Sequence, residues 1–331
     1  MIIIKRIVRL GTVFAIIVTL SSCSFSSDSR ESSKNNRQSV ESAQIQSIEM
    51  VPSTKEIVNT LCADEFQGRL IGSEGNEKAG EYIEKIFKNI GLDPYFDGSY
   101  YQKYYQKVNS TYRGERNNDK LKMVNNVVGF IKGKDSGSAV VISAHFDHIG
   151  YVDSNIIRGA LDNSSGVSAL IKIAHELKEK SKEKPFDMDI IFCAFNGEET
   201  GLSGSRAFVD QVNNMYYSMY NVNIDSIGAK EGGKLALKNK SKVSNKLYDA
   251  VKTTFKKNNI IFADNGVLGT SDHASFENRG IPNIYIVQEN INELIHKPTD
   301  IPDILDYEQI DKVANALCDF IETNNGVIFL D

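Results

Sequence analysis

Cysteine is scarce in this chain of 331 residues, which contains only four. Three of them, Cys62, Cys193 and Cys318, form an odd number with no spacing typical of a metal site. A disulfide framework is therefore not expected. Cys193 lies within a long apolar run, where burial in a packed core is its expected role. None of the three is expected to act as a nucleophile.

The chain also lacks a strong excess of either charge. It has 38 basic and 43 acidic residues, which gives a net charge of −5. Proteins that bind nucleic acid usually carry basic patches, so nucleic acid is not expected as a partner. The hydrophobic content of 41% and the charged content of 24% are ordinary for a soluble globular protein. The length allows one or two domains.

The N-terminus has the pattern of a secretory signal. Lys5, Arg6 and Arg9 precede an apolar run at 10–20, which is too short for a comfortable membrane-spanning helix. The run ends in Leu-Ser-Ser-Cys, which resembles a bacterial lipobox. That resemblance implies cleavage before Cys23 and attachment of lipid to its thiol. An ordinary secretory signal with an incidental cysteine is the alternative.

These features divide the chain into three parts. Residues 1–22 are expected to form the signal peptide. Residues 23–46 are rich in Ser, Asn, Arg and Lys, and are expected to form a flexible tether because they have little to bury. Residues 47–331 are expected to form the folded domain. Acyl chains on Cys23 would anchor the protein outside the cytoplasm, on the bacterial cell membrane.

The folded part alternates between strand-like and helix-like segments. Runs rich in Val and Ile predict strands at 126–131, 139–144, 189–195, 219–224 and 283–287. Helical periodicity predicts helices at 77–90, 167–180, 205–213, 243–257 and 307–323. This alternation predicts an α/β fold, a three-layer sandwich with a mostly parallel, mixed central sheet and helices on both faces. The segment 96–122 is expected to hold edge strands or a lid.

Histidines follow two of the predicted strands. The chain has only five histidines, and His145 closes the run at 139–144. Asp147 lies two residues further along and on the same side of an extended chain. A carboxylate there can accept the free ring N–H of a metal-bound imidazole. His296 follows the run at 283–287.

Acidic residues occupy the other strand ends. Asp162 stands before a predicted helix, where it suits both a helix cap and a carboxylate that bridges two cations. Glu198 and Glu199 follow the run at 189–195, and adjacent carboxylates repel there unless a cation offsets their charge. Glu199 would then bind metal and leave Glu198 free to accept a proton from water; a solvated acidic loop is the alternative. Asp225 ends a further apolar run.

The combination of these residue types is more specific than any one of them. Imidazole and carboxylate ligands without thiolates suit zinc, and manganese or cobalt less closely. Two ions bridged by one carboxylate polarise the scissile carbonyl, lower the pKa of a shared water and stabilise the oxyanion. The set therefore predicts a hydrolytic site with two metal ions.

The motifs resemble those of the two-zinc bacterial leucyl-aminopeptidase-like exopeptidases, which are related to aminopeptidase Y and to glutaminyl cyclases. The likeness begins with Gly-Arg-Leu-Ile-Gly-Ser-Glu-Gly-Asn at 68–76, includes Ser-Ala-His-Phe-Asp-His at 143–148 and ends at 296–307. It covers most of the chain beyond Ile57. It implies that 47–331 is a catalytic domain with two Zn²⁺ ions, which removes residues from peptides with a free N-terminus.

The resemblance also implies a role for each candidate residue. It gives five metal ligands: His145 and Asp225 for one zinc, Glu199 and His296 for the other, and Asp162 as the bridge between them. Glu198 would be the general base, which later returns the proton to the leaving amine. Asp147 would orient the ring of His145.

Some positions depart from the family pattern or lie beside it. Leu161 stands where the family often has a second aspartate, although Asp162 keeps the ligand position. His148 is expected to pack or to form a hydrogen bond rather than to bind metal. Asp272 and His273 resemble a motif near the substrate pocket, where they would either contact substrate or brace the site loop. No stretch is long enough for the inserted protease-associated domain of many relatives.

Three alternatives to an aminopeptidase remain open. Glutaminyl cyclases share the scaffold but close a ring instead of cutting a peptide bond. A carboxypeptidase would need a cation for the terminal carboxylate, and Arg158, Arg206 and Arg279 lie near the motif segments. A lipoprotein that binds peptides or metals without turnover is expected to lack the base or a ligand, whereas this chain has them all. The sequence predicts neither an oligomeric state nor a side-chain preference.

Overall fold

Residues 51–114, 119–238, 241–263 and 269–330 are described by the structure, which is a computed structural model. The proposed signal peptide, Cys23 and the tether lie outside the described residues. In the described ranges no helix is long and apolar enough to cross a membrane.

Three of the helices in the described chain begin at a residue whose side chain caps the helix. The helices are α1 Thr54–Leu61, α2 Glu74–Ile90, α3 Ser165–Glu183, α4 Ser203–Val212, α5 Asn245–Lys257, α6 His273–Glu277 and α7 Tyr307–Thr323. At the start of α2 the Ser73 side chain accepts the N–H of Asn76, and Gly91 ends the helix with a φ of 80°. Short 3₁₀ turns lie at Asp64–Arg69, Lys242–Ser244, Ile291–Glu293 and Pro302–Ile304, and a π-type turn lies at Ala160–Ser164.

Most of the strands form one mixed sheet. The strands are β1 Asp93–Pro94, β2 Tyr101–Val108, β3 Lys120–Ile131, β4 Asp135–His145, β5 Tyr151–Val152, β6 Asn155–Ile156, β7 Met188–Phe195, β8 Ser218–Ile224, β9 Leu235–Lys238, β10 Phe262–Ala263 and β11 Asn283–Gln288. The order in the nine-stranded sheet is β1-β3-β7-β4-β8-β11-β9-β10, with β2 also paired to β3, while β5 and β6 form a separate hairpin.

The centre of the sheet is parallel, and an antiparallel strand flanks it on each side. Strands β7, β4, β8 and β11 are neighbours that run in the same direction. Strand β3 is antiparallel to β7, and β9 is antiparallel to β11. The carboxyl ends of the four central strands therefore meet at one edge of the sheet, which is where sites form in such folds.

The two faces of the sheet carry helical layers of unequal size. Helices α1, α2, α3, α5 and α7 contribute to the core on one face, while α4 and α6 contribute to the core on the other. Along β4, Val140 and Ile142 point into the larger layer and Val141 points into the smaller one, as the period of two in a strand requires. The predicted three-layer sandwich with a mostly parallel, mixed sheet is confirmed.

The described part of the segment at 96–122, which was expected to hold edge strands or a lid, contains strand β2 and the start of β3. Strands β2 and β3 pair over eight residues, with Tyr105 opposite Met123. One face of this hairpin packs against Ile71 through Val108 and Val124, which are buried. The connection between the two strands, of which the structure describes 109–114 and 119, lies beside the site.

Candidate active site

The first group of candidate ligands lies at the ends of β4 and β8. His145 Nε2 is 3.1 Å from Asp162 Oδ1 and 3.4 Å from Asp225 Oδ1. All three side chains are buried. Their ligand atoms lie within 4.8 Å of one another, close enough to share one metal ion. The structure thus brings together three residues that are 17 to 80 positions apart in the sequence.

The second group shares Asp162 with the first. His296 Nε2 is 3.0 Å from Asp162 Oδ2 and 3.0 Å from Glu199 Oε1. Asp162 therefore turns Oδ1 toward one group and Oδ2 toward the other, as a carboxylate that bridges two ions must. All five ligands expected from sequence lie at the site, divided as the resemblance implies.

His148 lies in the second group as well. Its Nδ1 atom is 3.0 Å from Glu199 Oε1 and 3.9 Å from Asp162 Oδ2. Its ring centroid is 5.4 Å from that of His296, in an edge-to-face arrangement. The sequence favours packing or a hydrogen bond for His148. Its residue type and its position after Asp147 were the available signals for a role in metal binding.

Glu198 belongs to neither ligand group and remains available for proton transfer. Loss of hydration raises the pKa of Glu198 well above its usual range. The charge of His145 acts against this rise, and the carboxylates of Glu199 and Asp225 add to it. Cations bound beside these carboxylates would lower the pKa again, because they stabilise the charged form.

Asp147 ties the end of β4 to the loop that carries both glutamates. Its buried carboxylate accepts the backbone N–H of Glu198 at 3.1 Å and that of Glu199 at 3.3 Å. His145 Nδ1 lies 3.1 Å from the backbone oxygen of Asp147 and 3.7 Å from its carboxylate. The carbonyl is therefore the nearer partner of the imidazole, and the carboxylate chiefly holds the Glu198–Glu199 backbone.

Asp300 holds the loop that presents the bridging carboxylate. It is fully buried, and its carboxylate accepts the N–H of Leu161 at 2.7 Å and that of Asp162 at 3.3 Å. Burial raises the pKa of Asp300 to about 6. The sequence showed it only as part of the motif that follows His296.

Arg69 is a buried cation whose role could not be seen from sequence. Its side chain is fully buried, and its guanidinium donates to four backbone carbonyls. The acceptors are Phe146 at 2.8 Å, Leu61 at 2.7 Å, Arg158 at 2.6 Å and Gly159 at 2.9 Å. Arg69 thereby links the segment just after His145 to the segment just before Asp162, which fixes the spacing between two candidate ligands.

Asp272 and His273 lie beneath the site rather than at its surface. Asp272 is fully buried and His273 is 2% exposed, with its ring stacked on that of Tyr285 at a centroid distance of 4.6 Å. Burial raises the pKa of Asp272 to about 7. This burial favours the bracing role over direct contact with substrate.

A cavity opens beside the second ligand group. Its volume is about 310 Å³, and its lining includes Lys107, Tyr112, Arg113 and Glu199. The Tyr112 ring is 5.8 Å from the His296 ring, and the Arg113 guanidinium lies 4.9 Å from the centre of the Tyr112 ring. Sequence reasoning missed Tyr112 and Arg113, because nothing in a polar, tyrosine-rich stretch indicates which loop will lie against the metal ligands.

A second cavity continues away from the ligands along the β2–β3 hairpin. Its volume is about 670 Å³, and it shares Leu70, Asn109 and Asp119 with the first cavity. Gly72 and Lys122 lie further along its lining. The two cavities therefore adjoin each other.

Known proteins share both the sequence pattern and the fold. Aminopeptidase YwaD of Bacillus subtilis is 27% identical over 203 residues, which are 58% of this chain and 43% of that protein. The match thus spans less than half of that relative's length. The structure of a zinc aminopeptidase from Bacillus subtilis superposes with a TM-score of 0.65 at 16% identity, covering 83% of this chain and 96% of that one. A glutaminyl cyclase of Fimbriiglobus ruber gives a TM-score of 0.63 at 20% identity, covering 81% and 93%.

A family-level match covers the whole candidate site. The sequence profile of peptidase family M28 matches residues 126–321, which is more than half of the chain and includes every candidate ligand from His145 to His296. The predicted relationship to aminopeptidases is confirmed by the family match and by the Bacillus subtilis relative, and the glutaminyl cyclase shares the fold. The chain belongs to peptidase family M28.

Proposed function

We propose that this protein is a zinc-dependent aminopeptidase that holds two zinc ions and removes residues from the N-termini of peptides. The observation that carries the proposal is the position of Asp162, which offers one oxygen to each of two ligand groups. The name of the Bacillus subtilis relative, an aminopeptidase, points the same way.

The residues at the site fit zinc. Each group offers imidazole and carboxylate atoms within 4.8 Å of one another, and neither includes a thiolate. Such ligands suit zinc in sites that keep a position open for water or substrate. When bound, the ions would supply Lewis-acid polarisation of the scissile carbonyl and of the attacking water.

The side chains of the protein would carry the proton and position the substrate. Glu198 lies beside both groups without belonging to either, so it can take a proton from the attacking water and return it to the leaving amine. Asp147 holds the backbone of Glu198 in place through the 3.1 Å hydrogen bond. The cavity that Glu199 and Tyr112 line would receive the substrate.

A carboxypeptidase is the second candidate, because an arginine lies in the cavity beside Glu199. Arg113 lines the same cavity as Glu199, whereas Arg158 pairs with Asp64 and Arg279 pairs with Asp210. A guanidinium in that cavity could hold a terminal carboxylate. Cyclisation of N-terminal glutamine is the third candidate, and it is supported only by the shared fold.

Hydrolysis of amino-acid p-nitroanilides by the detergent-solubilised full chain tests the proposal. Substrates with a free amine should be cleaved and their N-blocked counterparts should not. A chelator should abolish the reaction, and added zinc should restore it. Glu198→Gln should lower kcat by about 10²–10⁴-fold at unchanged zinc content, since it removes the base and no ligand. Glu231→Gln, an exposed glutamate, serves as the matched control.

The outcomes separate the three candidates. Release of C-terminal residues from N-blocked peptides would favour a carboxypeptidase, and that activity should be lost in Arg113→Ala. Formation of pyroglutamate from glutaminyl peptides would favour a cyclase. A folded, zinc-loaded protein that performs none of these reactions would refute the proposal of an exopeptidase.

We also propose that the protein is attached to the bacterial cell membrane through lipid on Cys23. The Leu-Ser-Ser-Cys motif at the end of the apolar run supports this location. Cys23→Ala should move the protein from the membrane fraction to the soluble fraction after cleavage of the signal, and should abolish labelling with palmitate. A Cys23→Ala variant that remains palmitate-labelled would contradict the proposal.

A further inference from the structure

His148 occupies a position in the second ligand group that its hydrogen bonds do not explain. The residue is fully buried, and both ring nitrogens are inaccessible to solvent. Among the residues that the structure describes, neither nitrogen has a hydrogen-bond partner. Its backbone is fixed by the bond from its N–H to the carbonyl of Arg69 at 3.1 Å. The backbone therefore holds the ring at the site, although neither ring nitrogen forms a hydrogen bond in the described chain.

The short contact between His148 and Glu199 is not a hydrogen bond. Nδ1 and Oε1 are only 3.0 Å apart, but the two groups do not meet the geometry of a hydrogen bond. Buried polar atoms in native proteins nearly always have a partner, because leaving one without costs about 1–3 kcal/mol. A close nitrogen–oxygen contact without a hydrogen bond is what two ligands of one metal ion produce.

The distances agree with shared coordination. Ligand atoms about 2.0–2.1 Å from a tetrahedral zinc are about 3.3 Å from one another. His148 Nδ1 lies 3.0 Å from Glu199 Oε1 and 3.9 Å from Asp162 Oδ2. His296 Nε2 lies 3.0 Å from each of the same two oxygens. One ligand atom from each of the four residues lies within 4.8 Å of all the others.

We propose that His148 binds the second metal ion through Nδ1, as a sixth protein ligand of the two-ion site. This inference rests on the proposed zinc centre and extends it. The second ion then has two imidazoles and two carboxylates, whereas the first has only His145 with Asp162 and Asp225. Imidazole suits zinc, and carboxylate-rich sites suit manganese better. The first ion is therefore the one that manganese should replace more readily.

Zinc X-ray absorption on the solubilised full chain gives a direct count of imidazoles. Wild type loaded with two zinc ions should show three imidazoles per two ions, and His148→Ala should show two. His175→Ala, which removes a histidine of α3 outside both ligand groups, should leave the count at three. Competition with a chelator should show that His148→Ala weakens the binding of one ion by about 100-fold or more, since even outer partners of ligands contribute 10–100-fold.

His148→Gln separates ligation from a hydrogen-bonding role. Its amide keeps a donor that can reach Glu199 but lacks an imidazole, so it should lose zinc affinity almost as far as His148→Ala does. A count of two imidazoles in wild type would overturn the proposal, as would zinc affinity that His148→Gln leaves unchanged. The wild-type count decides the question even where a variant fails to fold.

The same measurements separate this inference from the proposed function. If wild type shows three zinc-bound imidazoles but no aminopeptidase activity, the His148 ligand is supported and the proposed reaction is refuted. If wild type is active but shows two zinc-bound imidazoles, the reaction is supported and the His148 ligand is refuted. A protein that takes up a single ion bound by one imidazole overturns the ligand proposal, whether or not it hydrolyses anilides.

Discussion

Replacing Asp147 by asparagine tests whether the carboxylate acts on the glutamate loop. In the structure this buried side chain accepts N–H groups from both Glu198 and Glu199, at 3.1 Å and 3.3 Å. Asparagine has nearly the same shape but keeps only one acceptor oxygen. Its NH₂ group would face the other backbone N–H, so that two donors meet in a place that excludes water.

The size of the effect follows from those two bonds. A hydrogen bond to a charged group contributes about 1.5–3 kcal/mol, and a buried donor left unpaired costs about 1–3 kcal/mol. Partial relaxation of the loop reduces the sum, so Asp147→Asn should lower the free energy of unfolding by about 2–4 kcal/mol. Because the loop carries both the base and a ligand, kcat should fall by about 10–100-fold.

The assay combines urea unfolding, zinc content and hydrolysis of an aminoacyl p-nitroanilide. Asp189→Asn is the matched control, since Asp189 is also buried and accepts a backbone N–H, from Gly133 at 2.7 Å, but at the opposite end of β7. The control should keep the wild-type kcat. Wild-type stability and kcat in Asp147→Asn would refute the role given to these two hydrogen bonds. Weaker binding of one zinc with unchanged stability would instead locate the effect at His145.

Two further predictions concern residues away from the metal ligands. Arg69→Lys should lower the free energy of unfolding by about 2–4 kcal/mol, because one ammonium group cannot reach the four carbonyls that the planar guanidinium contacts; an unchanged urea midpoint would contradict this. Asp189→Asn should gain stability relative to wild type as pH rises above the ordinary pKa of an aspartate, about 3.9. Burial raises the pKa of Asp189, so the folded wild type holds its proton more tightly than the unfolded chain and loses stability as pH rises through the folded pKa. If the free energy of unfolding in urea depends on pH in the same way for wild type and Asp189→Asn, this prediction is wrong.

The central strands and the ligand positions could be predicted from local sequence. Apolar runs that end in a charged residue identify buried strands and their carboxyl ends, because a parallel sheet covered on both faces needs continuous apolar segments. The predicted strand at 189–195 agrees with β7 at Met188–Phe195, and the predicted helix at 307–323 agrees with α7. His145, Glu199 and Asp225 follow directly from such strands, so their proximity was foreseeable.

The supporting contacts could not be predicted in the same way. Three of the four carbonyls that Arg69 contacts are 77 to 90 positions away in the sequence, and no local pattern indicates such partners. The carboxylate of Asp147 was expected to accept the ring N–H of His145. It instead accepts backbone N–H groups of a loop 51 and 52 positions further along the chain. His148 shows the same limit, because its distance from Glu199 depends on how the segment after β4 turns.

The charges at the site explain why the fold specifies a cation there. The one buried guanidinium nearby, that of Arg69, is used on four carbonyls, and the ion pairs of Asp162 and Glu199 in the described chain are with imidazoles. Burial lowers the pKa of His296, but contacts with Asp162 and Glu199 raise it by a larger amount, so that the pKa is about 10. Without metal, protonated imidazoles thus balance the buried carboxylates. Since an imidazole must be neutral to bind metal, ions that enter the site replace those protons, and the same acidic residues that repel one another become the reason for binding.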